Sequence, residues 1–228
     1  MKYFLDSAKI DEIKYAYNTF GIDGVTTNPK HVMLSGKPFL TVVRELADWV
    51  KEEGVEGWEK FPISVEINPH LEKAEEMIAA AREIAAVSPN FVIKIPCTIG
   101  GIEAARTLEK EGIRTNLTLV FSDAQAIIAA KNKSLFVSPF IGWKEDNGED
   151  CRDYIANVVK IYKNYGWYGK TEIICAAVRT AKQIVDCAVA GADIVTAGLA
   201  VYETSFKHPY TNQGIGIFCD AWDNTRHE

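Results

Sequence analysis

The segment Phe91-Val92-Ile93-Lys94-Ile95-Pro96 places one lysine in an otherwise apolar run. An amine drawn out of water is held more readily in its neutral form, and a neutral amine can condense with a carbonyl as a Schiff base. The same placement suits an ion pair with a core carboxylate, and Lys94 alone does not decide between the two. Other apolar runs are interrupted in the same way. Lys2-Tyr3-Phe4-Leu5-Asp6 ends in a carboxylate, and Ile63-Ser64-Val65-Glu66-Ile67 carries a second one among β-branched residues. Gly24-Val25-Thr26-Thr27-Asn28-Pro29 ends in hydroxyl and amide groups, alternation puts Asn116 and Thr118 on one face of their run, and Ser138 interrupts another. Singly, Asp6 suits the N-cap of a helix beginning near Ala8, and Asn28-Pro29 suits an ordinary turn. Together, a lysine, two carboxylates, two amides and two hydroxyls at the same end of successive runs describe an active site.

The elements that must bring these residues together are eight strand-like runs. They lie at Lys2–Asp6, Gly24–Thr27, Ile63–Ile67, Phe91–Ile95, Asn116–Val120, Leu135–Phe140, Ile173–Val178 and Ile194–Leu199. Amphipathic segments such as Leu71–Val87 separate them, with apolar residues at three- and four-residue steps. This alternation predicts parallel βα units, and eight of them predict an α/β fold, a closed (β/α)8 TIM barrel over residues 1–228. The polar residues then gather at the C-terminal ends of the strands, the face on which such barrels carry their sites. A doubly wound sheet needs a glycine-rich turn after its first strand, and Leu-Asp-Ser-Ala has none. An extra helix is expected over 208–223, whose Ile215, Ile217, Phe218 and Trp222 suit either the barrel end or a neighbouring subunit. The tail Asn224–Glu228 is expected to fray.

Composition narrows the partners. The 228 residues are 47% hydrophobic and 25% charged, with 25 Lys plus Arg against 31 Asp plus Glu and a formal charge of −6. That balance offers no basic footprint for nucleic acid or an anionic membrane and favours a small-molecule substrate. No apolar run approaches the ~20 residues of a membrane helix, and Asp6 interrupts the N-terminus too early for a signal peptide, so a cytoplasmic location is expected. Five cysteines (Cys97, Cys151, Cys175, Cys187, Cys219) have neither disulfide nor zinc spacing and are expected to be small buried hydrophobes.

Leu-Asp-Ser, Gly-Val-Thr-Thr-Asn-Pro, Val-Ile-Lys-Ile-Pro and Asn-Leu-Thr-Leu-Val-Phe-Ser follow one another in the order found in the transaldolase family. From Asp6 to the Phe218-x-x-x-Trp222 helix, the chain resembles the short branch of that family, the small transaldolases and fructose-6-phosphate aldolases. The resemblance implies a class I aldolase-type barrel with Lys94 as Schiff-base lysine and Asp6 as acid/base at the carbon–carbon bond. Thr27, Asn28, Asn116 and Ser138 would hold the bound three-carbon unit. It also implies sugar substrates, no metal or organic cofactor, and a homo-oligomer. Aldolases of the branch usually have Gln on strand three and a catalytic Tyr after the strand-six Pro. Glu66 and Phe140 are instead as in transaldolases. A carboxylate beside Thr118 can hold a water for dehydrating the carbinolamine. Phe140 cannot transfer a proton, which favours passing the enamine to an acceptor over releasing free dihydroxyacetone.

Two departures bear on the substrate. Phosphate-using transaldolases resemble one another in Phe-x-Gly-Arg and Ala-Ser-Phe-Arg/Lys, where this chain has Trp143 and Ala177. A phosphate would lose a guanidinium fork and a hydroxyl, while Arg179 remains and Lys30, His31 and Lys144 add charge. The expected donor is therefore a ketose altered at C6. A sulfonate as in 6-deoxy-6-sulfofructose is favoured, with a neutral end packed on Trp143 or an ordinary phosphate held by Arg179 as alternatives. An aldolase releasing dihydroxyacetone and a non-catalytic sugar-acid-binding barrel are the other readings.

Overall fold

The structure is a computed structural model that describes residues 1–226. The chain runs β1 (Lys2–Asp6), α1 (Ile10–Phe20), β2 (Gly24–Thr26), α2 (Pro29–Ser35), α3 (Phe39–Glu52) and β3 (Ile63–Glu66). It continues α4 (Ala74–Ala85), β4 (Phe91–Pro96), α5 (Ile99–Lys110), β5 (Thr115–Val120), α6 (Asp123–Lys131) and β6 (Phe136–Pro139). Then follow α7 (Gly142–Asp146), α8 (Cys151–Asn164), β7 (Glu172–Val178), α9 (Ala181–Ala190), β8 (Ile194–Ala197), α10 (Leu199–Ser205) and α11 (Pro209–Asp223). The strands pair in parallel in chain order and β8 closes on β1, the expected eight-stranded barrel.

Alternation along each strand divides the barrel into two cores. Outward residues such as Leu5, Val25, Ile63, Ile93, Leu117, Val137, Cys175 and Val195 pack under the helices in one continuous cluster. Inward, Phe4, Val92, Phe136, Ile174 and Ile194 plug the lower half, with the Phe4 and Phe136 rings edge to face at 5.8 Å. Gly24 makes room for that plug, since a Cβ there would stand 2.7 Å from the Phe4 ring. Two residues further along the same strands, the inward positions become Asp6, Lys94, Ser138, Ala176 and Thr196. The apolar plug thus ends where the polar layer begins, and the strand pattern itself lifts that layer to the C-terminal mouth.

Several boundaries differ from the sequence reading. Leu199 opens α10 instead of ending β8, Phe140 makes only an isolated bridge to Ala176 beyond β6, and α4 starts at Ala74. The N-cap position of α1 is Lys9, so Asp6 is not a helix cap and its carboxylate is left to the barrel interior. Cys219 is exposed, contrary to expectation, because α11 buries none of its residues; the other four cysteines are buried. Burial pushes the Cys97 and Cys151 thiols up to about 11, as inert core thiols should be. Helix α11 does not seal the barrel: Phe218 is 74% and Ile217 58% exposed. Asn224 to Arg226 are exposed, and residues 227 and 228 of the tail lie outside the described residues. Among the described residues no helix is long and apolar enough to cross a membrane.

One buried amide ties the loop after α3 to the barrel. Asn90, fully buried, donates through Nδ2 to the carbonyls of Val55 and Phe61, each at 2.8 Å, and accepts from the Gly57 N–H at 2.9 Å. Asn90→Ala leaves these groups unpaired at about 1–3 kcal/mol each. The expected result is a loss of about 3 kcal/mol in stability, read as a lower urea midpoint at unchanged slope.

Candidate active site

Glu66 and Lys94 are direct neighbours in the β3–β4 register, and Lys94 faces Asn116 in the β4–β5 register. Only 4% of Lys94 is exposed. Its Nζ stands 3.2 Å from Glu66 Oε2 and donates to the Thr27 carbonyl at 3.1 Å. Burial of an ion pair is costly unless geometry and further hydrogen bonds compensate, and here both charges keep a partner inside the barrel. Both readings of Lys94 therefore meet in one place: it is ion-paired, and it points into a cavity of ≈ 360 Å³ lined also by Asp6, Glu66 and Ser138. That volume suits a small sugar.

Asp6 holds one wall of this cavity. Its Oδ1 accepts from Thr26 Oγ1 at 2.8 Å, and the Thr26 and Thr196 hydroxyls lie 2.6 Å apart. His31 Nε2 stands 3.6 Å from the other oxygen, Oδ2. His31 is set there by its helix, because Asn28 is the N-cap of α2 and its Oδ1 accepts the His31 N–H at 3.0 Å, with Pro29 as first helical residue. Asn28 is thus both a cap and a cavity residue, and its Nδ2 has no hydrogen-bond partner among the described residues.

A second network supports the floor. Ser138 Oγ donates to Asn116 Oδ1 at 2.8 Å, and Asn116 Nδ2 donates to Ser64 Oγ at 3.0 Å. Ser138 lines the cavity, whereas Asn116 is fully buried behind it. Thr118 is also fully buried, and its hydroxyl has no hydrogen-bond partner among the described residues. Thr27 differs from expectation. Its hydroxyl donates to the Ser64 carbonyl at 3.0 Å, and only its own carbonyl serves Lys94. Thr26 and Thr196 face the cavity instead, and strand parity could have found both: Thr26 shares a face with Gly24, and Thr196 with Ile194.

The mouth is built by short segments after β5, β6 and β7. Leu119 and Ala177 have φ of 57° and 58°, a left-handed backbone costing a non-glycine residue about 1–2 kcal/mol, and pairing shifts register at both places. Gly142 abuts Ala177, where a Cβ would come 2.0 Å from the Ala177 carbonyl oxygen, so α7 can sit directly on the end of β7. That contact brings Trp143 over the opening, its ring 5.5 Å from Phe140 and 5.8 Å from Phe121. Phe121 completes this aromatic wall and was not anticipated. Lys30 and Arg179 line the rim. Arg179 pairs with Asp146 of α7, and its N–H donates to Gln183 Oε1 at 2.6 Å. Lys144, expected near the mouth, turns away to Glu149 and the Tyr154 ring. No group of three or more His, Cys, Asp or Glu among the described residues could hold a metal ion.

This geometry is a buried amine flanked by carboxylates at the C-terminal mouth of a closed barrel, and comparison with known proteins agrees with it. Residues 3–227 match the transaldolase/fructose-6-phosphate aldolase family. The chain belongs to that family. It is 58% identical over 225 residues to the 6-deoxy-6-sulfo-D-fructose transaldolase of Priestia megaterium (strain ATCC 12872 / QMB1551), covering 99% of this chain and 96% of that one. It is 42% identical over 223 residues to a probable transaldolase of Dictyoglomus turgidum (strain DSM 6724 / Z-1310), covering 98% of each. Among solved structures, thiamine phosphate pyrophosphorylase from Pyrococcus furiosus superposes with a TM-score of 0.60 at 10% identity, over 86% of this chain and 84% of that one. The last likeness shows the barrel fold alone. The sequence expectations of the (β/α)8 barrel and of an enzyme of the transaldolase family are met.

Proposed function

We propose that this transaldolase-family enzyme transfers a dihydroxyacetone unit from a ketose with a monoanionic C6 end, 6-deoxy-6-sulfofructose, to an acceptor aldehyde. The observation that carries the reading is the buried Lys94–Glu66 pair facing Asp6 across one cavity whose rim replaces a phosphate fork with Trp143. The name of the Priestia relative supports the same donor.

Glu66, 3.2 Å away, takes the ammonium proton of Lys94; the freed amine attacks the C2 carbonyl, and a second proton passes from the nitrogen to the C2 oxyanion to give the carbinolamine. Glu66 and a water held by the unpartnered Thr118 hydroxyl carry the protons needed to expel the C2 oxygen as water. The resulting iminium is an electron sink. Asp6 takes the C4 hydroxyl proton as the C3–C4 bond breaks, leaving the enamine on Lys94 and releasing a three-carbon aldehyde. Ser138 and Asn28 hold the retained unit, with Asn116 fixing the Ser138 hydroxyl from behind. An acceptor aldehyde then enters and the steps reverse. The phenyl ring of Phe140 offers the enamine no proton, which favours transfer over release. The departing tail lies against Trp143 between Lys30 and Arg179. A sulfonate carries one negative charge on three acceptor oxygens and needs fewer cations than a dianionic phosphate.

Arg179→Ala is expected to raise KM for the 6-sulfonate ketose about tenfold with little change in kcat, the loss of one charge-assisted hydrogen bond to a tail remote from the chemistry. The reading itself is tested by kcat/KM for 6-deoxy-6-sulfofructose and fructose 6-phosphate with one acceptor aldehyde. Preference for the sulfonate is expected. Preference for the phosphate overturns the donor assignment. We infer a homo-oligomer in the cytoplasm as the working form; the exposed Ile217 and Phe218 of α11 support the oligomer.

A further inference from the structure

We infer that His31 is a positioning residue for Asp6 that stores the transferred proton between the two half-reactions. The inference rests on the transaldolase reading above. His31 is expected from the sequence as a cation for the substrate's tail, and it lines the same cavity as Lys30 and Arg179, but the group its Nε2 pairs with is Asp6 Oδ2, 3.6 Å away. The contact is longer than a hydrogen bond and within ion-pair range, and such contacts shorten when a substrate arrives. Asp6 itself is anchored from the opposite side by Thr26, so its two oxygens have separate duties: Oδ1 is fixed and Oδ2 is shared between substrate and imidazole. Both side chains are about four-fifths buried, at 20% and 21% exposure, which limits their contact with bulk water.

During cleavage the Asp6 carboxylate accepts the C4 hydroxyl proton, the electrons of the C3–C4 bond flow into the iminium, and the C4 oxygen becomes a carbonyl. Asp6 is now a carboxylic acid beside the enamine. If it kept that proton it would be the nearest acid to C3, and protonation of C3 followed by hydrolysis would release dihydroxyacetone. Nε2 of His31 is the basic nitrogen facing that oxygen at 3.6 Å, and the proton moves on to it, leaving a carboxylate beside an imidazolium. When the acceptor aldehyde binds, the proton returns through Asp6 to the new hydroxyl as the carbon–carbon bond forms. Other charged groups lie on the elements around His31. Glu12 of α1 is held by Ser7 and Lys9, and Lys30 is adjacent on α2. Lys94, Glu66 and Arg179 stand around the cavity. Asp6 is the partner in reach.

The test compares wild type with His31→Gln and His31→Leu, using fructose and 6-deoxy-6-sulfofructose as donors. The quantity measured is free dihydroxyacetone released per unit transferred, across about pH 5 to 8. Both variants are expected to raise that ratio about tenfold, less than the roughly 10²–10⁴ contributed by a group acting on substrate itself, and to flatten its pH dependence. Gln is expected to recover kcat relative to Leu without recovering the ratio. An unchanged ratio in both variants overturns the inference while leaving the donor assignment intact. A raised KM confined to the sulfonate donor makes His31 a tail ligand and overturns it too. If wild type forms no borohydride-reducible adduct with either ketose, the transaldolase reading fails and takes this inference with it.

Discussion

Lys94→Met is expected to abolish turnover, with kcat/KM falling by at least roughly 10⁴, and to abolish the adduct that borohydride fixes in the presence of ketose. Methionine matches lysine in length and suits the apolar surroundings of β4, so the experiment removes the amine without opening a void. It does leave Glu66, 9% exposed, without its buried partner. Breaking a buried pair from one side costs about 3–5 kcal/mol, so the variant is expected to unfold at lower urea. Glu66→Gln on the same background relieves the uncompensated charge and is expected to recover much of that stability with no activity. Activity and stability then separate, which a structural lysine would not allow. Recovery of turnover in the double variant would remove Lys94 from the chemistry.

Asp6→Asn is expected to slow the reaction by roughly 10²–10⁴ while leaving Schiff-base formation in place. The amide is isosteric, can still meet Thr26, and cannot take the C4 proton. With Lys94 and Glu66 untouched, the ketose should condense and dehydrate and then stall before the C3–C4 bond breaks. Borohydride reduction should accordingly trap the intact ketose on Lys94, where wild type yields the three-carbon unit. Mass measurement of the reduced protein distinguishes the two. A three-carbon adduct formed at the wild-type rate in Asp6→Asn would show that another group accepts the proton.

The barrel was legible because its strands are too regular to hide. Phe4 to Asp6, Val92 to Lys94 and Phe136 to Ser138 each step once along an inward face, so the change from apolar to polar is written at period two. The same rule, applied strictly, separates Thr26 from its neighbour Thr27. The Thr-Thr-Asn-Pro motif obscured that parity because both residues are hydroxylic. Thr196 went unnoticed because threonine is ordinary in a strand, and only the Thr26 hydroxyl at 2.6 Å shows what it does. Segments without a long period were less readable. Helices α2 and α7 have seven and five residues, too short to display an amphipathic stripe, yet they aim His31, Trp143 and Asp146. That Asp146 holds Arg179, and that Lys144 turns away to Glu149, are tertiary facts with no local signal. Glycine at 142 was a clue of another kind, since its purpose becomes visible only when the Ala177 carbonyl is seen against it.

The claim on which the rest depends is that Lys94 forms the Schiff base of a transferable three-carbon unit. The direct measurement is peptide mass mapping of protein reduced with borohydride after incubation with 6-deoxy-6-sulfofructose, with and without an acceptor aldehyde. One three-carbon adduct is expected, on the peptide carrying Lys94, and it is expected to disappear when acceptor is added before the reductant. An adduct on any other lysine, or one that persists unchanged in the presence of acceptor, would contradict the assignment of Lys94.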